Sequence, residues 1–274
     1  MSQNDSSVKF LYDTRFGRGI LKLILCTHAD RVAVAFLRSR LSRGMIKGYV
    51  RRNGIPLTEE EVKSFRTYRD FFIRTRDDLT CDPAPDHLVS PADSFLSVFP
   101  IEPDSAFAIK GSHYRIRDFL DDDELAARYA GGDCLIFRLC ASDYHHYAYI
   151  DSGTHGPAKD IPGVLHSVQP IACERFPVYT LNRRSWVCLE TDHFGPVIQT
   201  EIGALVVGGI VNLHREGRFE KGTEKGRFEL AGSTIVLLFE KDRMTLNDDV
   251  REATRDGREL RVRWGQWIGT GRAD

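Results

Sequence analysis

The tripeptide Gly232-Ser233-Thr234 lies between two runs that read as strands, "GRFEL" and "STIVLLFE". A serine hydroxyl beside the carbonyl of the preceding glycine can attack it and move the acyl group from nitrogen to oxygen, provided that a base removes the proton. Glycine suits this step because it leaves the carbonyl unshielded and tolerates strained torsions. Two other stretches carry groups that such chemistry needs. "SDYHHYAYIDSG", residues 142–153, sets His145 and His146 in succession, and alternation along a strand sends one imidazole to each face. "VSPADSFLSVFPI" sets Asp93 after a proline-bearing turn, where a carboxylate can orient a histidine and stabilise its imidazolium. Taken singly, each stretch is ordinary: "GST" is a common turn, histidine packs well against tyrosine, and aspartate caps turns. A metal site would need further ligands at suitable spacing, and the sequence offers none.

Such groups act only if a scaffold brings them together. From about residue 87 onward the chain alternates short apolar runs with Gly, Pro and Asp: "CLIFRLC", "HHYAYID", "WVCLET", "PVIQTEIGALVVGGIVNLH", "GRFEL", "STIVLLFE" and "LRVRW", with one helical insert near "RDFLDDDELAARY". The expected fold class is α+β, a β-rich core of short, mainly antiparallel strands (87–274) behind an N-terminal amphipathic helical segment (1–86). Residues 15–52 of that segment hold ten Lys or Arg and a single acid, Asp30. Ile20, Leu21, Ile24 and Leu25 form one apolar cluster, and Val32, Val34, Ala35, Leu37 and Leu41 a second. Helices of this kind either lie on an anionic membrane or cap a core with a solvated charged face. "PLTEEEVKSFRTYRDFFIRTRDD" follows, with Thr58 and Glu61 at capping-box spacing and a helical reading that runs into Phe71-Phe72.

The 274 residues balance 38 Lys plus Arg against 39 Asp plus Glu, for a net charge of -1, so nothing global argues for nucleic acid. Six scattered cysteines without CxxC spacing, and a polar start without a secretory signal, read as reduced thiols in a cytoplasmic protein. No uninterrupted apolar run approaches the ~18 to 20 residues that span a bilayer, which makes the expected protein soluble or peripheral.

Joined in order with "FFIRTRDD", "PGVLHSVQP", "FGPVIQTEIGALVVGGIV" and "KGTEKGRFELAGST", these stretches resemble the phosphatidylserine decarboxylase family over most of the chain. "IGALVVGG" followed by "KGTEKGRFELAGST" is specific to that family. The resemblance implies a zymogen that cuts itself between Gly232 and Ser233 into a β chain (1–232) and an α chain (233–274). Ser233 would become a pyruvoyl group, a covalent cofactor that forms a Schiff base with phosphatidylserine and releases carbon dioxide and phosphatidylethanolamine. It implies Ser233, His145 and Asp93 as catalytic residues, no metal and no nucleic acid. The implied setting is peripheral, at the cytoplasmic face of the membrane, with the basic segment on the anionic surface; homo-oligomerisation is left open.

Three positions depart from the family pattern. The second histidine of its "YHRxH" motif is Ala148 here, its arginine is His146, and Ser94 stands where glycine usually follows the aspartate. Alanine cannot accept a proton, so either another imidazole, His145, His146 or His166, serves as the base of the cut or the chain processes poorly; His145 is favoured as the principal acid/base. Two alternatives follow: a pyruvoyl decarboxylase of a soluble amino acid, or an unprocessed scaffold that binds lipid or a partner.

Overall fold

The computed structural model describes residues 10–14, 16–20, 29–104, 106–109, 112–173, 176–204, 209–230 and 233–272. Gly232, residues 205–208 of "IGALVVGG", and Leu21, Ile24 and Leu25 of the first apolar cluster lie outside the described residues.

The described strands, in chain order, are β1 (His87–Val89), β2 (Ser94–Pro100), β3 (Ala106–Ile109), β4 (Ser112–Arg115), β5 (Asp133–Leu139), β6 (His146–Ala148), β7 (Gly153–His155), β8 (Lys159–Ile161) and β9 (Arg184–Thr191). They continue with β10 (Gly195–Ile202), β11 (Gly209–Asn212), β12 (Gly217–Phe219), β13 (Glu224–Glu229), β14 (Ser233–Phe239), β15 (Met244–Leu246), β16 (Leu260–Val262) and β17 (Trp267–Gly271). A nine-stranded antiparallel sheet runs β12-β7-β9-β10-β14-β5-β2-β16, with β8 also paired to β9. Smaller sheets are β11-β13-β6 and β1-β17-β15, and β3 pairs with β4.

β14 lies between β10 and β5 and is buried along its whole length. Ile235, Leu237 and Phe239 point into one core with Phe137, Val197 and Ile268. Val236 and Leu238 point into the other, with Ile136, Ile198 and Phe119. Burial on both faces is why this strand reads as a continuous apolar run rather than an alternation. The α+β expectation holds: an antiparallel β-rich core carries a small helical N-terminal segment.

That segment contains the helices Ala29–Arg38, Arg43–Asn53, Glu59–Ser64 and Tyr68–Phe72. Thr58 and Glu61 form the capping box foreseen from their spacing. The single helical reading into Phe71-Phe72 needs correction, because the chain leaves the helix at Phe65 and starts again at Tyr68. A second capping box, Thr67 with Asp70, supplies the physical reason, since it satisfies the first amides of a new helix. The restart packs Tyr68, Phe71 and Phe72 against Ile46, Val50 and Leu230.

Two further details differ from the sequence reading. The single insert is a pair of short helices, Ile116–Leu120 and Asp123–Arg128, separated by Asp121 in a left-handed conformation (φ 53°). The helix Asp248–Arg255 was not anticipated; it buries only Val250 and Ala253 and is held by acids in its first turn and Arg255 in its last. It is amphipathic, with Val250 and Ala253 three apart on the buried face, but two turns are short for a period to stand out.

The central strand sets the fold's stability. Leu237→Ala, in a chain kept in one piece by Ser233→Ala, is expected to cost about 2–5 kcal/mol. Urea unfolding should show a lower midpoint with an unchanged slope.

Candidate active site

Ser233 is the first residue of β14, paired with Leu139, the last residue of β5. The chain leaves β5 at Cys140 and turns back, and five residues later His145 faces the serine. Asp143 shapes the turn: its Oδ2 accepts the Cys140 N–H at 2.7 Å, and its own N–H donates to the Cys140 carbonyl at 2.9 Å. Arg261 holds the other carboxylate oxygen at 2.9 Å. The His145 carbonyl accepts from the Phe228 N–H at 2.9 Å, which ties the turn to β13. β13 is itself fixed to the large sheet by a buried ion pair, Lys225 Nζ to Glu201 Oε1 at 2.8 Å.

The His145 ring has two different partners. Nε2 lies 3.0 Å from the Cys140 carbonyl oxygen, and Nδ1 lies 3.2 Å from Ser233 Oγ. A carbonyl can only accept, so Nε2 carries the hydrogen and Nδ1 presents a lone pair to the serine hydroxyl. The ring stacks on Phe72 at 4.0 Å between centroids, and both His145 and Ser233 are almost fully buried (0% and 1% exposed). Burial, with the positive charge of Arg74 second, pushes the imidazole down to about 3, so it is neutral at ordinary pH. A neutral imidazole with its acceptor nitrogen on a serine is the arrangement that removes a hydroxyl proton.

His146 points the other way. Its Nδ1 meets Glu224 Oε1 at 2.7 Å, and its Nε2 donates to the Ile73 carbonyl at 3.1 Å. Both ring nitrogens are engaged by these partners, and no described hydrogen bond joins His146 to Ser233. His166 sits in another part of the core, where Tyr12 donates to its Nδ1 at 3.3 Å and Phe176 stacks on it at 4.9 Å. Burial lowers its pKa as well. Of the three candidate imidazoles, the one hydrogen-bonded to Ser233 is His145.

Asp93 lies on the far side of the histidine pair. Its Oδ2 accepts from Arg76 Nη1 and its Oδ1 from the Trp264 N–H, both at 2.9 Å. The described hydrogen bonds of this carboxylate therefore go to a guanidinium and an amide, not to an imidazole. Its loop reaches the histidine strand through the backbone, where the Pro91 carbonyl accepts the Ala148 N–H at 2.8 Å. The Ala148 methyl packs in an apolar cluster with Tyr144 and Trp264. A cleft of about 270 Å³ opens on this side, lined by Arg76, Leu79, Tyr144, Glu224 and Trp264 among others. Ser94, where the family has glycine, donates to the Ala92 carbonyl at 3.2 Å and is fully buried at the start of β2. No cluster of metal-ligating residues exists among the described residues.

Sequence reasoning did not single out Phe72, Glu224, Arg76 or the Cys140 carbonyl. The first three lie inside stretches quoted for the resemblance; nothing in the sequence signals a backbone carbonyl as the group that fixes a tautomer.

A family model described as phosphatidylserine decarboxylase matches residues 68–270. Phosphatidylserine decarboxylase proenzyme 2 of Clostridium acetobutylicum is 40% identical over 268 residues, covering 97% of this chain and 92% of the relative. The phosphatidylserine decarboxylase proenzyme of Clostridium perfringens is 35% identical over 273 residues, covering 96% and 92%. That of Desulfitobacterium hafniense is 32% identical over 276 residues, covering 97% and 92%.

The buried neutral histidine has a consequence for acid stability. Folded, His145 takes a proton only near pH 3; unfolded, it does so near its ordinary value of 6.5. Between those values the unfolded chain binds more protons, so stability falls as pH falls, by at most roughly 1.4 kcal/mol per unit. His145→Gln should lose less stability than the parent between pH 7 and pH 5 in denaturant titrations; an equal loss in both would contradict the buried neutral state.

Proposed function

The chain belongs to the phosphatidylserine decarboxylase family, and on that premise we propose that it is a self-processing decarboxylase of phosphatidylserine. One observation carries the reading: Ser233 Oγ lies 3.2 Å from the acceptor nitrogen of a buried, neutral His145. Nδ1 receives the Ser233 hydroxyl proton as Oγ adds to the carbonyl carbon of Gly232, and returns it to the amide nitrogen as the C–N bond opens. The resulting ester breaks by elimination, which leaves the β chain with a new carboxylate at Gly232. Residue 233, left as a dehydroalanine by loss of its Cα proton, tautomerises to an imine, and addition of water with release of ammonia leaves a pyruvoyl group.

The surroundings of Ser233 suit that group. The site is buried and walled by Phe72, and the hydroxyl of the neighbouring Thr234 is buried without a partner among the described residues. An unsatisfied buried hydroxyl costs about 1–3 kcal/mol, and that of Thr234 is free to bind a group formed at residue 233. When formed, a pyruvoyl group supplies an electrophilic carbonyl that takes up a primary amine and holds the electron pair left behind by carbon dioxide. To His145 Nδ1, beside residue 233, falls the proton transfer to the carbon that loses the carboxylate; because the resting imidazole is neutral, it takes up that proton only in the reacting complex. Asp93 acts as a positioning residue: with Arg76 and Trp264 it fixes the loop whose Pro91 carbonyl seats Ala148, three residues after His145.

A lipid substrate is supported by the helical layer. Val32, Phe36, Leu41 and Met45 are exposed among the arginines and lysines of residues 29–52. Apolar side chains flanked by cations bind the interface of an anionic bilayer. No described helix is long and apolar enough to cross a membrane, so the contact is peripheral. This supports phosphatidylserine over a soluble amino acid as substrate, and a peripheral position on the leaflet that carries anionic lipid.

Intact mass under denaturing conditions tests the cut. The parent chain should give two polypeptides, the smaller starting at residue 233 with a ketone-bearing end, and Ser233→Ala should give one. His145→Ala should remain uncut, while His146→Ala and His166→Ala should still divide, since neither imidazole faces the serine. Carbon dioxide release from phosphatidylserine in mixed vesicles, against release from free serine, tests the substrate; turnover of free serine alone would refute the lipid assignment.

A further inference from the structure

The side chains of Glu229 and Leu230, shortly before the cut, are held by the helical layer. Glu229, the last residue of β13, is 8% exposed and accepts hydrogen bonds from two arginines. Arg38 Nη2 reaches its Oε2 at 2.9 Å; Arg69 reaches the same oxygen through Nε at 3.4 Å and the other oxygen through Nη2. Burial works to raise this carboxyl and is outweighed by the two guanidinium groups, which hold it below the usual range and keep it ionised. The next residue, Leu230, has φ 49°, a left-handed conformation that a bulky residue adopts only where its surroundings impose it. They do so here: the Leu230 side chain is 2% exposed, packed among Ile46, Val50, Tyr68, Phe71 and Phe72.

One short helix, Tyr68–Phe72, thus touches both halves of the reaction. Arg69 grips Glu229, three residues upstream of Gly232, and Phe72 stacks on the ring of His145. On the other side of the scissile bond, Ser233 and Thr234 are locked into β14 by pairing with Leu139 and Ile202. Only Ala231 and Gly232 separate the two anchors.

We propose that Arg69 and Arg38, acting through Glu229, and Leu230 in its left-handed turn are positioning residues for the self-cleavage: they set the direction from which the Gly232 carbonyl meets Ser233 Oγ. The proposal rests on the self-processing reading. An attack of this kind is fast only when the carbonyl carbon sits near Oγ along a narrow approach. With two residues between fixed points, few backbone torsions remain free. Freeing Glu229 would let Leu230 relax to an ordinary conformation and loosen the segment that leads into the scissile bond. The amphipathic helix Ala29–Arg38, which ends in Arg38, is thereby coupled to the maturation of a bond in the β-rich core.

The test follows freshly translated full-length chain as one polypeptide becomes two, resolved by mass over time. Glu229→Gln and Arg69→Ala should slow the cut by about tenfold or more, equivalent to ~1.4 kcal/mol in the barrier. Arg69→Lys should recover part of the rate, and so should the exchange of Arg69→Glu with Glu229→Arg. Lys47→Ala, which breaks the exposed Lys47–Glu59 pair in the same helical layer, should cut at the parental rate. Each substitution is also melted in the uncut Ser233→Ala chain. Slowing beyond what the shift in melting temperature accounts for supports a positioning role. Cutting at the parental rate in Glu229→Gln and Arg69→Ala, or slowing that tracks the melting temperature, would overturn the clamp alone. A parental chain that never divides would remove the self-processing reading, and the clamp with it.

Discussion

A serine hydroxyl is a weak nucleophile, and whether Ser233 can act depends on which nitrogen of His145 carries its proton. The Cys140 carbonyl decides this: it accepts from Nε2, which forces the lone pair onto Nδ1, the atom facing Ser233 Oγ. The same carbonyl accepts the Asp143 N–H. One turn between β5 and β6 therefore returns the histidine to the serine and chooses its tautomer. Burial keeps the ring neutral, so the lone pair is present whenever the chain is folded.

The rest of the structure keeps that turn in place. The nine-stranded sheet buries β14 on both faces and leaves Ser233 at its end with little freedom to move. β13 binds the His145 carbonyl and, through Lys225, a carboxylate inside the sheet. Phe72 closes the ring from the helical side. Asp93, with Arg76 and Trp264, braces the opposite end of the histidine strand without reaching the imidazole. Where the family has a second histidine, Ala148 fills an apolar cluster, so the alanine is a packed core residue rather than a gap in a charge relay. The division of labour between the adjacent histidines follows from strand alternation, one toward the serine and one toward the cleft.

Much of this was legible in the sequence. Strands were expected in "CLIFRLC", "WVCLET" and "STIVLLFE", and β5, β9 and β14 occupy those runs, because apolar residues bounded by Gly, Pro and Asp leave few other options. Thr58 and Glu61 announced a helix start because a capping box is a local arrangement. The break from Phe65 to Thr67 is also local, since Thr67 and Asp70 form a second capping box, but it interrupts a helical pattern that otherwise continues. The helix at Asp248 is amphipathic but only two turns long, which is short for its period to stand out in the sequence.

Residue types and their order alone determined which groups were available: a glycine-serine pair, a histidine pair, an aspartate, and a family pattern long enough to join them. They could not determine which imidazole serves the serine, because His145, His146 and His166 are chemically equal until their neighbours are known. Those neighbours come from distant parts of the chain: Phe72 from a helix, Glu224 from β13, Tyr12 and Phe176 around His166. Hydrogen bonding at each ring is set by three-dimensional contact, and a backbone carbonyl such as that of Cys140 is present at every residue, so no letter in the sequence marks the one that matters.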